Sequence, residues 1–395
     1  VKALRTVLAI AAASALSACS AARTALPPTT AGPVPGGGPR VPMTTPHALP
    51  GTTPHALPAA TLGCDLTFEV DQANCTVAVN VNVPAISNPT TPSDLLPGLH
   101  PLDLRAAYRL PSENTAGTVA IVDAYDDPAA ESDLAVYRTA FGLPACTSAN
   151  GCFQKVNEQG QTGTYPAPNA GWDEEIALDL DMVSAACANC KILLVEANAP
   201  TFDDLGAAED TAAKLGATAI GNSYYGPEWS GETAYDAHYH HAGIAITVSA
   251  GDQQSSFYPA VSPYVTAVGG TTLTGSGTSW TESAWTYTGQ GCSYYEPKPS
   301  WQGSNGCGRR RAMNDVAAVA DPQTGVAMYD STAGGWVVAG GTSIGAPLVA
   351  AAYALSHNPQ SPAYSYAHRI AFHDVAPVGY DWPTGLGTPN GVGGL

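Results

Sequence analysis

From about Gly98 onward, short apolar runs bounded by Gly, Pro, Asn and Ser alternate with longer stretches whose apolar positions recur at helical spacing. The runs at 118–123, 191–196, 217–221, 244–249 and 264–268 predict strands, and the helical spacing predicts helices over 129–141, 173–187, 203–215, 232–242 and 343–356. Strands this continuously apolar need cover on both faces. The alternation therefore predicts an α/β fold, a doubly wound, mostly parallel sheet with helices on both faces. Ligands meet such a sheet at the carboxyl ends of its strands, so polar residues just beyond the strands need explaining first.

Upstream the pattern changes. Residues 64–90 alternate polar and apolar around Thr76, Val77, Ala78, Val79, Asn80 and Val81, which predicts a disulfide-pinned hairpin within a small N-terminal extension at 61–97. Residues 20–60 are mostly Pro, Gly, Thr and Ala and cannot bury enough surface to fold, so they are expected to be a disordered tether. Within it Thr-Thr-Pro-His-Ala-Leu-Pro occurs at 44–50 and again at 52–58. This reads as repeat slippage in a linker and not as a metal site at His47 and His55. Residues 1–19 combine a basic start (Lys2, Arg5) with an apolar run from Val7 to Leu16, too short to span a bilayer, and read as a signal peptide. Leu16-Ser17-Ala18-Cys19 resembles a bacterial lipobox, in which Cys19 is lipidated and anchors the chain to an envelope membrane. The alternative is a secretory peptide cut at a small-residue site. The folded remainder is placed at 98–395.

The 395 residues are 45% hydrophobic, enough for one large core, and only 12% charged, with a net charge of −18. Such an acidic chain is a poor partner for nucleic acid, and protonation at low pH would relieve its self-repulsion. Eight cysteines follow Cys19, an even number that points to disulfides in an exported chain. Pairing neighbours in order (64 with 75, 146 with 152, 187 with 190, 292 with 307) would staple four local loops, although spacing alone leaves connectivity open. Cys187-Ala-Asn-Cys190 is a lone CxxC without a second pair at zinc spacing, so a structural bond is expected there.

Candidate chemistry sits in three places. Gly340-Gly341-Thr342-Ser343-Ile344-Gly345-Ala346-Pro347 leads into an Ala-rich helix, which puts Ser343 near a helix N-terminus that favours developing negative charge. A serine nucleophile needs a proton acceptor. No His-Gly-Thr segment exists, and His238, His240 and His241 lack metal spacing and are expected on the surface or a helix flank. Carboxylates are better candidates: Glu175 and Asp179 stand one helical turn apart in a segment apolar enough to bury them. Asp252 follows a strand in Thr247-Val248-Ser249-Ala250-Gly251-Asp252, where a turn residue is the ordinary reading.

Taken together, Glu175-x-x-Leu178-Asp179, Ser249-Ala250-Gly251-Asp252, Ser262-Pro263-Tyr264-Val265 running into Gly269-Gly270-Thr271, Gly340-Gly341-Thr342-Ser343-x-x-Ala346-Pro347 and Thr384-Gly385-Leu386-Gly387-Thr388-Pro389 resemble the sedolisins, or serine-carboxyl peptidases, in their kumamolisin-like form. The resemblance covers roughly residues 98 to 390. It implies a subtilisin-like fold and peptide-bond hydrolysis at acidic pH, with Ser343 as nucleophile, Glu175 as general base, Asp179 orienting it and Asp252 in the oxyanion hole. It also implies peptide or protein substrates and a monomer. A carboxylate base suits acid, because a Glu near its ordinary pKa of about 4.3 still titrates where a His of about 6.5 is protonated. A structural calcium is implied as well, held by Asp374 and Asp381 with the carbonyls of Val375, Pro377 and Gly379, although this loop is shorter than the family's and carries Pro377 where Gly is expected. Two further departures are the lack of a long folded prodomain before residue 98, and Tyr224 where relatives carry Trp, which implies a softened substrate cleft. The alternative to an enzyme is a non-catalytic, envelope-tethered binding protein or adhesin on the same fold. A neutral-pH, histidine-based hydrolase is a weaker one.

Overall fold

The computed structural model describes residues 57, 59–64, 69–112, 117–356, 358, 360–376 and 379–395. The signal segment with Cys19, most of the tether with His47 and His55, and Pro377 lie outside the described residues.

The chain enters through strands β1 (Ala60–Leu62), β2 (Asn74–Cys75) and β3 (Ala78–Asn80). β1 and β3 pair antiparallel, Ala60 opposite Asn80, and the Cys64–Cys75 disulfide closes the loop that follows β1. After helix α1 (Pro101–Ala107) the expected alternation begins: β4 (Thr118–Ala124), α2 (Ala130–Ala140), β5 (Phe153–Asn157), α3 (Ala170–Ala186), β6 (Lys191–Ala197), α4 (Phe202–Lys214), β7 (Ala219–Asn222), β8 (Tyr224–Pro227) and β9 (Ala245–Ser249). It continues through β10 (Phe257–Tyr258), β11 (Thr266–Ser276), β12 (Ser279–Ala284), β13 (Cys292–Pro297), β14 (Arg310–Ala312), β15 (Val316–Val319), β16 (Val326–Asp330), β17 (Gly335–Gly340) and α5 (Gly345–Leu355).

The main sheet has eight strands, in the order β12-β11-β9-β7-β4-β6-β5 with β15 also beside β11. Every pair is parallel except the β11–β12 hairpin. This is the expected mostly parallel sheet. Its inner strand β4 is buried from Val119 to Ala124, as two covered faces require. A second sheet, β1-β3-β17-β16, ties the N-terminal segment to the strand that leads into the Ser343 turn. The extension at 61–97 is thus built into the body.

Two helices fix the site. α5 is buried at all 11 positions, and Pro347 sits in its first turn, where its missing N–H costs no hydrogen bond. α3 starts where Asn169 accepts the N–H groups of Gly171 and Trp172, an N-cap worth about 1 kcal/mol. From Glu175 to Ala186 it is buried on every side, so its carboxylates have no solvent face to turn to.

Differences from the sequence reading have local causes. The helix expected at 232–242 is two 3₁₀ turns, Glu232–Ala234 and Asp236–Tyr239. Thr233, Tyr235, Asp236, His238, Tyr239, His240 and His241 are weak helix formers that outnumber Glu232 and the alanines, and the N–H groups of Tyr235 and His238 bond three residues back, to Glu232 and Tyr235. The strand expected at 264–268 begins at Thr266 and runs on to Ser276, because its second half folds back on β12 around Gly277 at φ +61°. β5 was not among the expected strands. Its pattern Phe-Gln-Lys-Val-Asn mixes charged and polar residues as an edge strand does. All four disulfides join neighbouring cysteines in order, Cys64–Cys75, Cys146–Cys152, Cys187–Cys190 and Cys292–Cys307.

Carboxyl groups are buried throughout the body. Burial pushes Asp127 up to about 7, Glu209 and Glu296 to about 8, and Glu232 to about 10. An acid whose folded pKa is raised stabilises the fold most below its unfolded pKa, and that contribution is lost as pH rises through the folded value. The melting temperature is therefore expected to be highest near pH 4 and to fall by at least about 5 °C by pH 8 in scanning calorimetry. A flat or rising profile would show that these carboxyls are not protonated in the folded chain.

Candidate active site

Ser343 follows the end of β17 in a tight turn. Gly341 there has φ +98°, and a Cβ would run into the carbonyl oxygen of Thr76 and lie 2.9 Å from Asp252 Oδ2. Only glycine accepts both the backbone angle and that approach. Asp252 stands just beyond β9, at the carboxyl end of the sheet. Its Oδ1 accepts the Thr342 N–H (2.9 Å) and the Thr342 hydroxyl (2.8 Å). Its Oδ2 is buried and accepts no hydrogen bond among the described residues. Since Oδ1 is committed to two donors, a proton on this carboxyl belongs on Oδ2, which faces the turn. Burial pushes Asp252 up to about 7 against those two hydrogen bonds.

Glu175 and Asp179, one turn apart on α3, are both fully buried. Glu175 Oε2 accepts the backbone N–H groups of Thr76 (2.6 Å) and Val77 (2.7 Å). Burial raises Glu175 to about 8; the Ser343 hydroxyl and these two amides oppose the rise. Asp179 Oδ1 accepts the Ser223 hydroxyl (2.8 Å), which lies 3.3 Å from the Ser343 carbonyl oxygen. Burial, then the charges of Asp123 and Glu175, hold Asp179 well above the usual carboxylate range.

Asp123, at the carboxyl end of β4, completes the group. It is raised by burial and by Glu175 and Glu196, and neither of its oxygens accepts a hydrogen bond among the described residues. Glu175 Oε1 and Asp179 Oδ2 are in the same position. Three mutually repelling carboxyls with unmatched buried oxygens supply their own donors by carrying protons. Such a set can take up, share and return a proton.

The groove beside Ser343 holds the chain's own N-terminal segment. β2 pairs antiparallel with β8, Cys75 opposite Tyr224, and β3 pairs antiparallel with β17, Ala78 opposite Gly340. Between them the Thr76 hydroxyl contacts the Ser343 hydroxyl. Ala73, Cys75, Thr76, Val77 and Ala78 are all buried, and the Ala73 N–H donates to Pro200 (2.8 Å). Ser343 is consequently fully buried.

The structure thus brings together all four residues singled out from the sequence, Ser343, Glu175, Asp179 and Asp252. It adds Asp123, Ser223 and Thr342, which sequence reading missed. A signal for Asp123 existed, since it ends an apolar strand of a parallel sheet. The register of residues 73–80 had none. His238 and His241 flank α4 beside Asp210 (2.9 and 3.4 Å), as expected of histidines without a catalytic place. The Tyr224 hydroxyl donates to Asn222 Oδ1 (2.7 Å) and its ring lies 6.4 Å from that of Trp172, so the residue acts on packing beneath the groove. In the C-terminal loop Asp374 Oδ2 accepts the Gly379 N–H (2.7 Å) and Asp381 accepts the N–H and hydroxyl of Thr384 (2.9 Å each).

No protein-family profile matches the chain. It is 30% identical to kumamolisin of Bacillus sp. (strain MN-32) over 355 residues, which are 74% of this chain and 62% of kumamolisin. It is 34% identical to sedolisin of Pseudomonas sp. (strain 101) over 174 residues, 35% of this chain and 29% of that protein. The chain therefore spans less than two thirds of the length of these curated relatives. Among solved structures, Pseudomonas sedolisin, a serine-carboxyl proteinase complexed with two molecules of pseudo-iodotyrostatin, superposes with a TM-score of 0.64 at 25% identity, covering 75% of this chain and 96% of that one. With its subtilisin-like parallel sheet and this relationship along most of the described residues, the chain belongs to the sedolisin family of serine-carboxyl peptidases.

Proposed function

We propose that the chain is an endopeptidase that hydrolyses peptides or proteins at acidic pH through an acyl-enzyme on Ser343. The observation that carries this reading is the convergence of Ser343, the proton-sharing carboxyls of Glu175 and Asp179, and the unmatched Oδ2 of Asp252 at one end of the sheet. In the proposed reaction Ser343 Oγ attacks the substrate carbonyl carbon and passes its proton to Glu175, while Asp179 holds Glu175 in place and shares that proton. The carbonyl oxygen becomes an oxyanion and accepts a hydrogen bond from protonated Asp252 Oδ2. Glu175 then protonates the departing amine, and water attacks the acyl-enzyme in the second half-reaction.

The pH range follows from the two carboxyls. Asp252 donates only while protonated, below about 7. Glu175 accepts only while ionised. Its rise to about 8 belongs to the filled, dry groove; water admitted by an open groove brings it back toward the ordinary Glu value of about 4.3. We further propose export and lipid anchorage through Cys19, with secretion if Cys19 is not lipidated, and action as a monomer. A structural calcium is proposed at the C-terminal loop. The carboxylates of Asp374 and Asp381 are close enough to repel. The family resemblance would add the carbonyls of Val375, Pro377 and Gly379, an all-oxygen donor set of the kind calcium takes.

On an unstructured peptide, kcat/KM is expected to be greatest near pH ~4 and to fall as pH passes through about 7. Ser343→Ala and Glu175→Gln should each lower it by about 10²-fold or more. An optimum above pH 7, or cleavage that survives Ser343→Ala, would sink the assignment. For calcium, a concentration about 100 times its Kd is expected to add roughly 2.7 kcal/mol of stability, read as a higher melting temperature. Asp381→Asn should remove that increment, and a melting temperature indifferent to calcium and EDTA would dismiss the site.

A further inference from the structure

We propose that Glu228, Glu232, Asp236 and Glu296 are positioning residues, two carboxyl pairs that each share a proton and together clamp the strand on which a bound peptide would pair. The inference rests on the peptidase reading above, since β8 pairs with β2 at Tyr224 and Tyr225 and would pair with a substrate strand in its place. β8 follows directly on Ser223, the partner of Asp179, and its other edge pairs with β10, Phe257 opposite Pro227. One residue beyond that pair a side chain closes the ribbon: the Ser256 hydroxyl donates to Glu228 Oε1 (2.6 Å). Glu228 Oε2 accepts the Ser293 hydroxyl and the Tyr294 N–H (3.0 Å), which ties the same end to β13. One carboxylate thus joins β8, β10 and β13 at the end of the peptide-pairing wall.

Glu232 and Asp236, on the two 3₁₀ turns that follow β8, complete the cluster. Glu232 lies within hydrogen-bonding reach of Glu228, and Asp236 within reach of Glu296. Two carboxyl groups meet in this way only with a proton between them. Unmatched oxygens show where each proton sits. Glu232 is fully buried; its Oε2 accepts the Trp229 N–H (2.8 Å), and its Oε1 accepts no N–H or hydroxyl among the described residues. Glu296 is fully buried with neither oxygen matched among them. Glu228 already holds three donors and Asp236 accepts the Tyr258 hydroxyl (3.4 Å), so the protons belong on Glu232 and Glu296. Little positive charge competes: Arg310 of β14 eases Glu296 and His240 eases Asp236, while Tyr239 and Tyr258 face the cluster as uncharged phenols. Burial, then the charge of Glu228, pushes Glu232 up to about 10, and burial, then Asp236, pushes Glu296 up to about 8. Both folded values are raised. The hold is therefore fullest below the ordinary carboxyl value of about 4.3, weakens as pH rises, and is lost once pH passes the folded values. The wall is firmest in the acid range where hydrolysis is proposed.

The test reads the clamp separately from activity. Hydrogen exchange of the full chain carrying Ser343→Ala is followed by mass spectrometry at pH 5 and pH 8 and corrected for intrinsic rates. Protection of β8, β10 and β13 is expected to fall by about tenfold or more between the two. Glu232→Gln with Glu296→Gln, whose amides donate at either pH, should flatten that fall and leave the exchange of α2 as it was. No fall, a double variant that follows the parent, or a change spread evenly to α2 overturns the inference. If the double variant does not fold, Glu296→Gln alone is read for the same flattening. In the chain with Ser343 intact at pH 4, Glu232→Ala is expected to raise KM for an unstructured peptide about tenfold with kcat within about threefold, and Glu232→Gln to restore KM. A fall in kcat with KM unmoved, or no rescue by Gln, also overturns it. Wild type inert to the peptide retires the peptidase reading, and the exchange result then decides the clamp by itself.

Discussion

A carboxyl group deep in a protein must find a cation, a hydrogen-bond donor or a proton, and this chain has few cations to offer. Lys and Arg number 15 against 33 Asp and Glu. Arg311 with Asp315, and Lys155 with Asp126 and Glu196, use two of the cations inside the fold. Most of the other buried acids among the described residues lean on backbone amides, hydroxyls and one another, with Arg138 easing Asp181 and Arg310 easing Glu296. α3 concentrates the problem, because a helix covered on all sides turns Asp173, Glu175, Asp179 and Asp181 into the body. Ser223 answers Asp179, the Tyr329 amide answers Asp181, and residues 76 and 77 answer Glu175. The sheet order, the Asn169 cap and the course of the N-terminal segment all serve to bring those donors to those acids.

This need shows why much of the site was legible in the sequence. Glu175 and Asp179 sit at helical spacing among Ile176, Leu178 and Leu180, and local periodicity suffices to foresee acids inside. Ser343 lies in a Gly-rich turn before an Ala-rich helix, and Asp252 just past an apolar strand, which are local signals too. Asp123 also carried a local signal, but a lone Asp ending a strand resembles any turn residue until the sheet order puts β4 at the centre. At 232–242 apolar positions at helical spacing predict a helix, whereas the weak propensities of Thr233, Tyr235, Asp236 and His238 favour the two 3₁₀ turns that form instead. The placement of residues 73–80 is a contact between segments about 100 to 270 positions apart, and no local pattern encodes such a register.

The filled groove also changes what the acids are. Glu175 at about 8 is a property of a dry site. In a wet groove it is an ordinary acid again, so for this group occupancy and proton affinity are one variable. Whatever lies across Ser343 sets the proton inventory beneath it, and the inventory in turn sets how firmly amides such as those of Thr76 and Val77 are held.

The edge position of β1 carries a mechanical consequence. β1 pairs only with β3, at the border of its sheet, while β3 is held from both sides by β1 and β17. The segment before Thr76 is therefore held by two edge strands, β1 and β2, that can peel, and the segment after it by β3, an inner strand paired on both sides. A pull on the N-terminal end would unzip β1 first and load the Cys64–Cys75 loop next, while the inner strand and the nucleophile's turn stayed seated. The segment behaves as a latch with its hinge on the inside, and tension along the N-terminal tether is the force that would work it.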